Sequence, residues 1–302
     1  MTSDTGVIDG ASSVSEQLPW GVDSECGVLA DVLLCPPDHY RWLPSSAISQ
    51  ATLDSDAVFD LGLAKRQHAE LVACYEEQGV HCHYLKPDPA LPYQVFARDS
   101  STATPAGGVV LQLHQWWRRG EYAAVIDFYR TAGIPIAGMI TAAAVEGGDV
   151  MIIEPGCVLI GCCEFRTQEQ GARQLAQMFE AQGWEARVQP FAGRFVHMDV
   201  IVATLAEKLV AVAADVVPAG LLTWLRDKGV DFIEIPESEA FTLGVNAMPL
   251  GRDRVVSGAS SKTLNAELRA RGLTVIDPDL SMFTGGGGGA HCLAQALRRE
   301  RQ

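Results

Sequence analysis

The 302-residue chain is 48% hydrophobic and 20% charged, enough apolar material for one large or two ordinary domains. Its net charge of −14 argues against a nucleic-acid partner, which needs a basic face, and suits small cations such as guanidinium or amine compounds. No run of about 18 apolar residues occurs, so neither a membrane span nor a membrane partner is expected.

Residues 1–18 are polar and rich in Ser, Gly and Asp, without the basic and apolar parts of a signal peptide. A disordered tail is expected there, followed by a single domain over 19–302. Eight cysteines, several in apolar strand-like runs, form no disulfide framework in a chain this long and point to a reducing cytoplasm. His81-Cys82-His83 places two imidazoles on one strand face. With no matching ligand pair elsewhere, it reads as a half-buried strand and not as a metal site.

From residue 27 onward one order of elements recurs: strand, turn, strand, helix, strand. The first unit is loose, with a strand over 27–34, a long insertion, a helix near 61–78 and a strand over 80–85. The second has strands at 101–104 and 109–113, a helix over 121–132 stopped by Gly133, and a strand over 135–139. The third runs through 150–154, 157–162, a helix over 167–182 ended by Gly183, and 184–188. The fourth uses 200–205, 208–213, a helix over 219–228 and 230–235. The fifth uses 246–250, 254–257, a helix over 262–271 and 273–276. Repeats of roughly 40 residues signal a propeller or solenoid, and the hairpins inside each unit argue against an open βαβ sheet. The expected fold is an α/β, five-bladed pseudo-symmetric propeller of ββαβ units, with residues 280–297 completing the ring against the first unit.

Three unit heads carry charged residues directly before an apolar strand: Phe96-Ala97-Arg98-Asp99, Glu146-Gly147-Gly148-Asp149, and His197-Met198-Asp199. After the fifth unit, five glycines (285–289) lead through Ala290 to His291-Cys292. Glycine suits backbone that must press close to something else, and a cysteine at the end of such a strap is a candidate nucleophile. If the heads meet at one axis, they bring together a thiol, an imidazole and several carboxylates. His291 is the nearer imidazole in sequence, but neighbouring strand residues face apart, so His197 is preferred as the base.

These four motifs, in this order, resemble the guanidino-group-modifying superfamily of arginine deiminases, dimethylarginine dimethylaminohydrolases, agmatine deiminases and amidinotransferases. The family's fold, a five-bladed α/β propeller, agrees with the repeat. The resemblance implies a cysteine-dependent hydrolase of arginine or an Nω-methylated arginine. Its products would be citrulline plus ammonia or an alkylamine, formed through a covalent thiouronium intermediate. It implies Cys292 as nucleophile, His197 as acid and then base, and Glu146 as the partner of His197. Asp99 and Asp199 would grip the guanidinium. Asp149 would either join them or lock the Gly147-Gly148 turn. Arg118 and Arg166 stand in segments that bind the substrate carboxylate in the family, with Arg119 as a fallback for Arg118. No metal and no organic cofactor is implied. The length is nearer that of the dimethylargininases, whereas Arg98 and the Asp two residues after the histidine are nearer other branches. An amidinotransferase and a non-catalytic binding protein are the alternative readings. A homo-oligomer is left open.

Overall fold

The computed structural model describes residues 20–301, so the expected tail at 1–18 lies outside the described residues. The first unit begins with β1 (Val28–Leu34), then α1 (Ala47–Leu53), α2 (Leu61–Glu77) and β2 (His81–Tyr84). Helix α1 lies inside the long insertion, where no helix was expected; it is held by a Ser46–Ser49 capping box. The second unit follows as β3 (Ser101–Thr104), β4 (Gly107–Val110), α3 (Glu121–Ala132) and β5 (Ile136–Met139). The third is β6 (Val150–Glu154), β7 (Cys157–Cys162), α4 (Glu169–Glu180) and β8 (Glu185–Pro190). The fourth is β9 (Val202–Ala206), β10 (Leu209–Val212), α5 (Ala219–Asp227) and β11 (Asp231–Glu234). A short α6 (Glu237–Ala240) leads to the fifth: β12 (Met248–Gly251), β13 (Arg254–Val256), α7 (Lys262–Ala270) and β14 (Thr274–Ile276). The chain finishes with α8 (Ser281–Thr284) and β15 (Gln295–Glu300).

Each helix covers its sheet for a reason visible in its spacing. In α4, Ala172, Leu175, Ala176 and Phe179 form one buried stripe, and Gly183 takes a φ of 82° just beyond the helix. In units two to five the first strand pairs antiparallel with the second, and the third returns parallel to the second through the helix. The first unit borrows its antiparallel strand from the far end of the sequence: β15 pairs with β1, Val28 opposite Glu300, while β2 lies parallel on the other side.

The result is five separate three-stranded mixed sheets with eight α-helices among the described residues. This corrects the expected propeller: no sheet closes on itself into a barrel or a propeller. Strand pairing is used up within each unit, by a hairpin on one side and a helical crossover on the other. Neighbouring units meet without strand pairing, with β12 against β1 and β9, β9 against β6, and β3 against β15. Among the described residues no helix is long and apolar enough to cross a membrane.

Candidate active site

The three polar unit heads fold as 3-10 turns immediately before the first strands: Ala97–Ser100, Gly147–Asp149 and Met198–Val200. Each is buried and pinned to the next. Asp99 Oδ1 accepts the Gly148 amide at 3.2 Å, and Asp149 Oδ1 accepts the Met198 amide at 2.7 Å, both 49 residues ahead. The Arg98 side chain spans the same joint, donating to the carbonyls of Gly147 at 3.1 Å and Val150 at 2.5 Å. The backbone N–H of Arg98 donates to the carbonyl of Cys292 at 3.2 Å, which fixes the Cys292 segment to the second unit.

Glycine lets these turns come close. A Cβ on Gly148 would stand 2.5 Å from His197 Nδ1, and one on Gly288 would overlap the Phe96 ring. The strap is thus packed backbone: Tyr93 donates its hydroxyl to the Gly286 carbonyl at 3.2 Å.

One cavity gathers the chemistry. Asp99, Arg118, Arg166, His197 and Cys292 line it, walled by Ser45, Ser46 and Gly286–Gly288. Glu146, Asp149 and Asp199 stand behind this lining. Glu146 Oε2 is shared by His197 Nε2 at 2.7 Å and Arg166 Nη1 at 3.1 Å, while Oε1 accepts the His114 amide at 3.0 Å. Burial alone would raise the Glu146 carboxyl, but Arg166 and His197 outweigh it and hold it below the usual carboxylate range. Burial alone would lower His197. Asp99, 3.6 Å from Nδ1, and the Glu146 hydrogen bond reverse this and raise the imidazole to about 9. These neighbours favour the charged form of His197.

Arg118 has its donors committed. Nη1 bonds Asp99 Oδ2 at 2.6 Å, Nε and Nη2 bond Glu121 at 2.7 and 2.9 Å, and Nη2 also reaches the Tyr93 and Phe96 carbonyls. Arg166 donates to Ser45 as well as to Glu146. Arg119 is exposed and outside the lining. Asp99, Glu146 and His197 converge closely enough to resemble a metal-ligand set. Their oxygens and Nε2 are already taken up by Arg118, Arg166 and one another, which makes the cluster an ion-pair network.

At the sulfur, Asn246 Nδ2 lies 3.3 Å from Cys292 Sγ, and Asp199 Oδ2 lies 3.7 Å from it. Burial, with the negative Asp199 and Asp99 nearby, pushes the Cys292 thiol well above its ordinary value. The expected strand around His291-Cys292 starts only at Gln295; the pair sits in a turn. The two side chains therefore do not diverge as on a strand: His291 Nδ1 meets, at 2.8 Å, the same Asp199 oxygen that faces the sulfur.

Asn246 went unnoticed in the sequence. Its signal lay in the register of the repeat: Asp99, Asp149, Asp199 and Asn246 all stand just ahead of the first strand of their unit. In the fifth unit an amide replaces the acid, so it can donate to sulfur as well as accept from backbone.

The sequence model of the eukaryotic N,N dimethylarginine dimethylhydrolase family matches residues 45–299. The chain belongs to the guanidino-group-modifying superfamily. Among its relatives is the protein YkgA of Bacillus subtilis (strain 168), itself uncharacterised and 29% identical, covering 91% of this chain and 94% of YkgA. The arginine deiminase of Mycobacterium marinum is 26% identical over 82% of this chain and 67% of its own. The N-terminal domain of ArgZ, a cyanobacterial arginine dihydrolase, has a similar fold, with a TM-score of 0.77 at 20% identity over 89% of this chain and 98% of that one. Membership of the superfamily, together with the buried cluster around His197, supports a cysteine hydrolase of this family.

Proposed function

We propose that the chain hydrolyses arginine or an Nω-methylated arginine to citrulline, releasing ammonia or an alkylamine. The observation that carries this is the lining itself: a thiol, an imidazole and the Asp99 carboxylate share one cavity, with Glu146 fixing the imidazole from behind.

In the resting enzyme the thiol is neutral. A guanidinium entering beside it offsets Asp99 and Asp199 and lowers the cost of the thiolate, so the thiol gives its proton to solvent as the cation binds. The sulfur attacks the guanidino carbon, forming the S–C bond. His197, whose Nε2 is held by Glu146, gives a proton from Nδ1 to the departing nitrogen as the C–N bond breaks. A water then attacks the thiouronium carbon and gives its proton to the same nitrogen. The C–S bond breaks, returning the thiolate; the protonated urea gives its O–H proton to the departing sulfur through solvent, which leaves a neutral ureido group and the resting thiol. Asp99 and Asp199 supply the charge that holds the cation, and Asp149 supports the turn that carries His197 and Asp199. Arg166 is the cation in the lining for a substrate carboxylate, whereas Arg118, expected for the same task, is held by Asp99 and Glu121. Arg166 is the better placed, because one of its nitrogens is held only by Ser45. The cavity as it stands is about 10 Å³, room for one water, so an arginine side chain enters only with a rearrangement of the lining.

Purified protein incubated with arginine, mono- and dimethylarginine and agmatine should yield citrulline from one of the first three, and Cys292→Ser should abolish it. No ureido product from any of the four would remove the hydrolase reading. Turnover only on adding an amine acceptor would identify an amidinotransferase.

A further inference from the structure

The mechanism above uses His197 and leaves a second buried imidazole without a task. His291 does not line the substrate cavity. It borders a separate space of about 10 Å³, shared with Glu25, Thr204 and Asp199. Its Nδ1 is 2.8 Å from Asp199 Oδ2, and that oxygen is also 3.7 Å from Cys292 Sγ. Burial would raise the Asp199 carboxyl, yet His291, with His197 and Arg98 nearby, holds it below its ordinary value, so it is ionised. An ionised carboxylate only accepts, which assigns the proton of this contact to His291 Nδ1. Asn246 fixes both neighbours at once: Oδ1 accepts the amides of His291 at 3.0 Å and Cys292 at 3.3 Å.

We propose that His291 is a positioning residue for the nucleophile, acting through Asp199. Its Nδ1–H occupies the carboxylate oxygen that faces the sulfur, so that the thiol meets an oxygen whose charge is already engaged. Without this donor, Asp199 presents a bare anion to Cys292 and holds the thiol proton more tightly. The other charged groups facing the trio are Asp99 at the sulfur, Arg98 and His197 near Asp199, and Glu25 near His291. Glu25 is itself paired with Arg98 at 3.3 Å and Arg299 at 3.9 Å. None of them reaches Asp199 Oδ2 within hydrogen-bond distance, so His291 is its single strong donor among the described residues.

The inference rests on Cys292 being the nucleophile. The test therefore reads the sulfur directly and not turnover, which keeps a failure of one separate from a failure of the other. The rate at which iodoacetamide alkylates Cys292 is measured from pH 7 to 10 by mass spectrometry of its peptide. The proteins compared are the wild type, His291→Asn, which can place an amide N–H near the Nδ1 position, and His291→Gln, which moves it towards Nε2. His291→Gln should be alkylated about tenfold more slowly at each pH, the worth of a charge-assisted hydrogen bond, with His291→Asn within about threefold of wild type. His291→Leu should follow His291→Gln; should it not fold, the Asn and Gln pair decides alone. A His291→Gln profile superimposed on wild type would overturn the proposal, as would a His291→Asn profile displaced as far as that of His291→Gln.

Discussion

Cys292 lies between two buried imidazole–carboxylate pairs of the same composition, His197–Glu146 and His291–Asp199, with hydrogen bonds of 2.7 and 2.8 Å. They differ in which member faces the chemistry. In the first pair the imidazole lines the cavity, and the carboxylate is buried behind it with Arg166 and the His114 amide. In the second the carboxylate faces the sulfur and the imidazole is behind. In the roles proposed above, the same hydrogen bond keeps a proton available on one side and tempers an anion on the other. What a histidine does here is set by orientation and by the next shell of charges, not by its distance from the cysteine in sequence.

The comparison predicts unequal costs. His197→Asn should reduce kcat by about 10²- to 10⁴-fold, the usual worth of a positioned general acid–base, measured as citrulline release under saturating substrate. A loss no larger than that of His291→Gln would make the two pairs equivalent and break the distinction. Arg118→Met strands the buried Asp99 and Glu121 carboxylates and should cost about 3–5 kcal/mol in denaturant unfolding. An unchanged midpoint with a raised KM would instead make Arg118 mainly a substrate anchor.

The raised His197 imidazole has a pH signature. Its folded value, about 9, lies above the ordinary 6.5, so it stabilises the fold fully below 6.5 and progressively less as pH rises to 9. The part lost is about 3 kcal/mol in order of magnitude. Unfolding free energies measured across that window should show this decline, and His197→Asn should flatten it. The smallest effect is expected at Asp149, whose buried carboxyl is raised to about 7, mainly by burial. A raised carboxyl withholds stability once the pH exceeds its unfolded value, near 3.8. Asp149→Asn, which can keep the acceptor for the Met198 amide, should leave turnover within about tenfold and raise stability at pH 8. A loss of turnover matching that of His197→Asn would place Asp149 on the substrate.

The helices and strands were legible because glycines punctuate them and apolar stripes such as Ala172–Leu175–Phe179 repeat at helical spacing. The unit heads were legible because charges directly before buried strands are conspicuous. Sheet closure was not legible: strand order within a unit follows from local turns, but what joins one unit to the next is side-chain packing that leaves no period in the sequence. His291 was misjudged for a local reason. Strand geometry was assumed at His291-Cys292, where the chain turns and strand pairing begins only at Gln295. Asn246 was missed because an amide carries no charge to mark it, although the repeat register pointed at it.

The pairing of β15 with β1 has a consequence for how the protein is made. Val28 leaves a ribosome early and waits for Glu300, with nearly the whole described chain between them. Until β15 arrives, β1 has an open edge, the kind of exposed strand that recruits other chains. Cys292 lies just ahead of β15, so the step that seals this edge also brings the sulfur to Asp199 and Asn246. A nascent or partly unfolded molecule would be aggregation-prone and inert for the same reason, and chain termination a few residues before Glu300 should cost solubility and activity together.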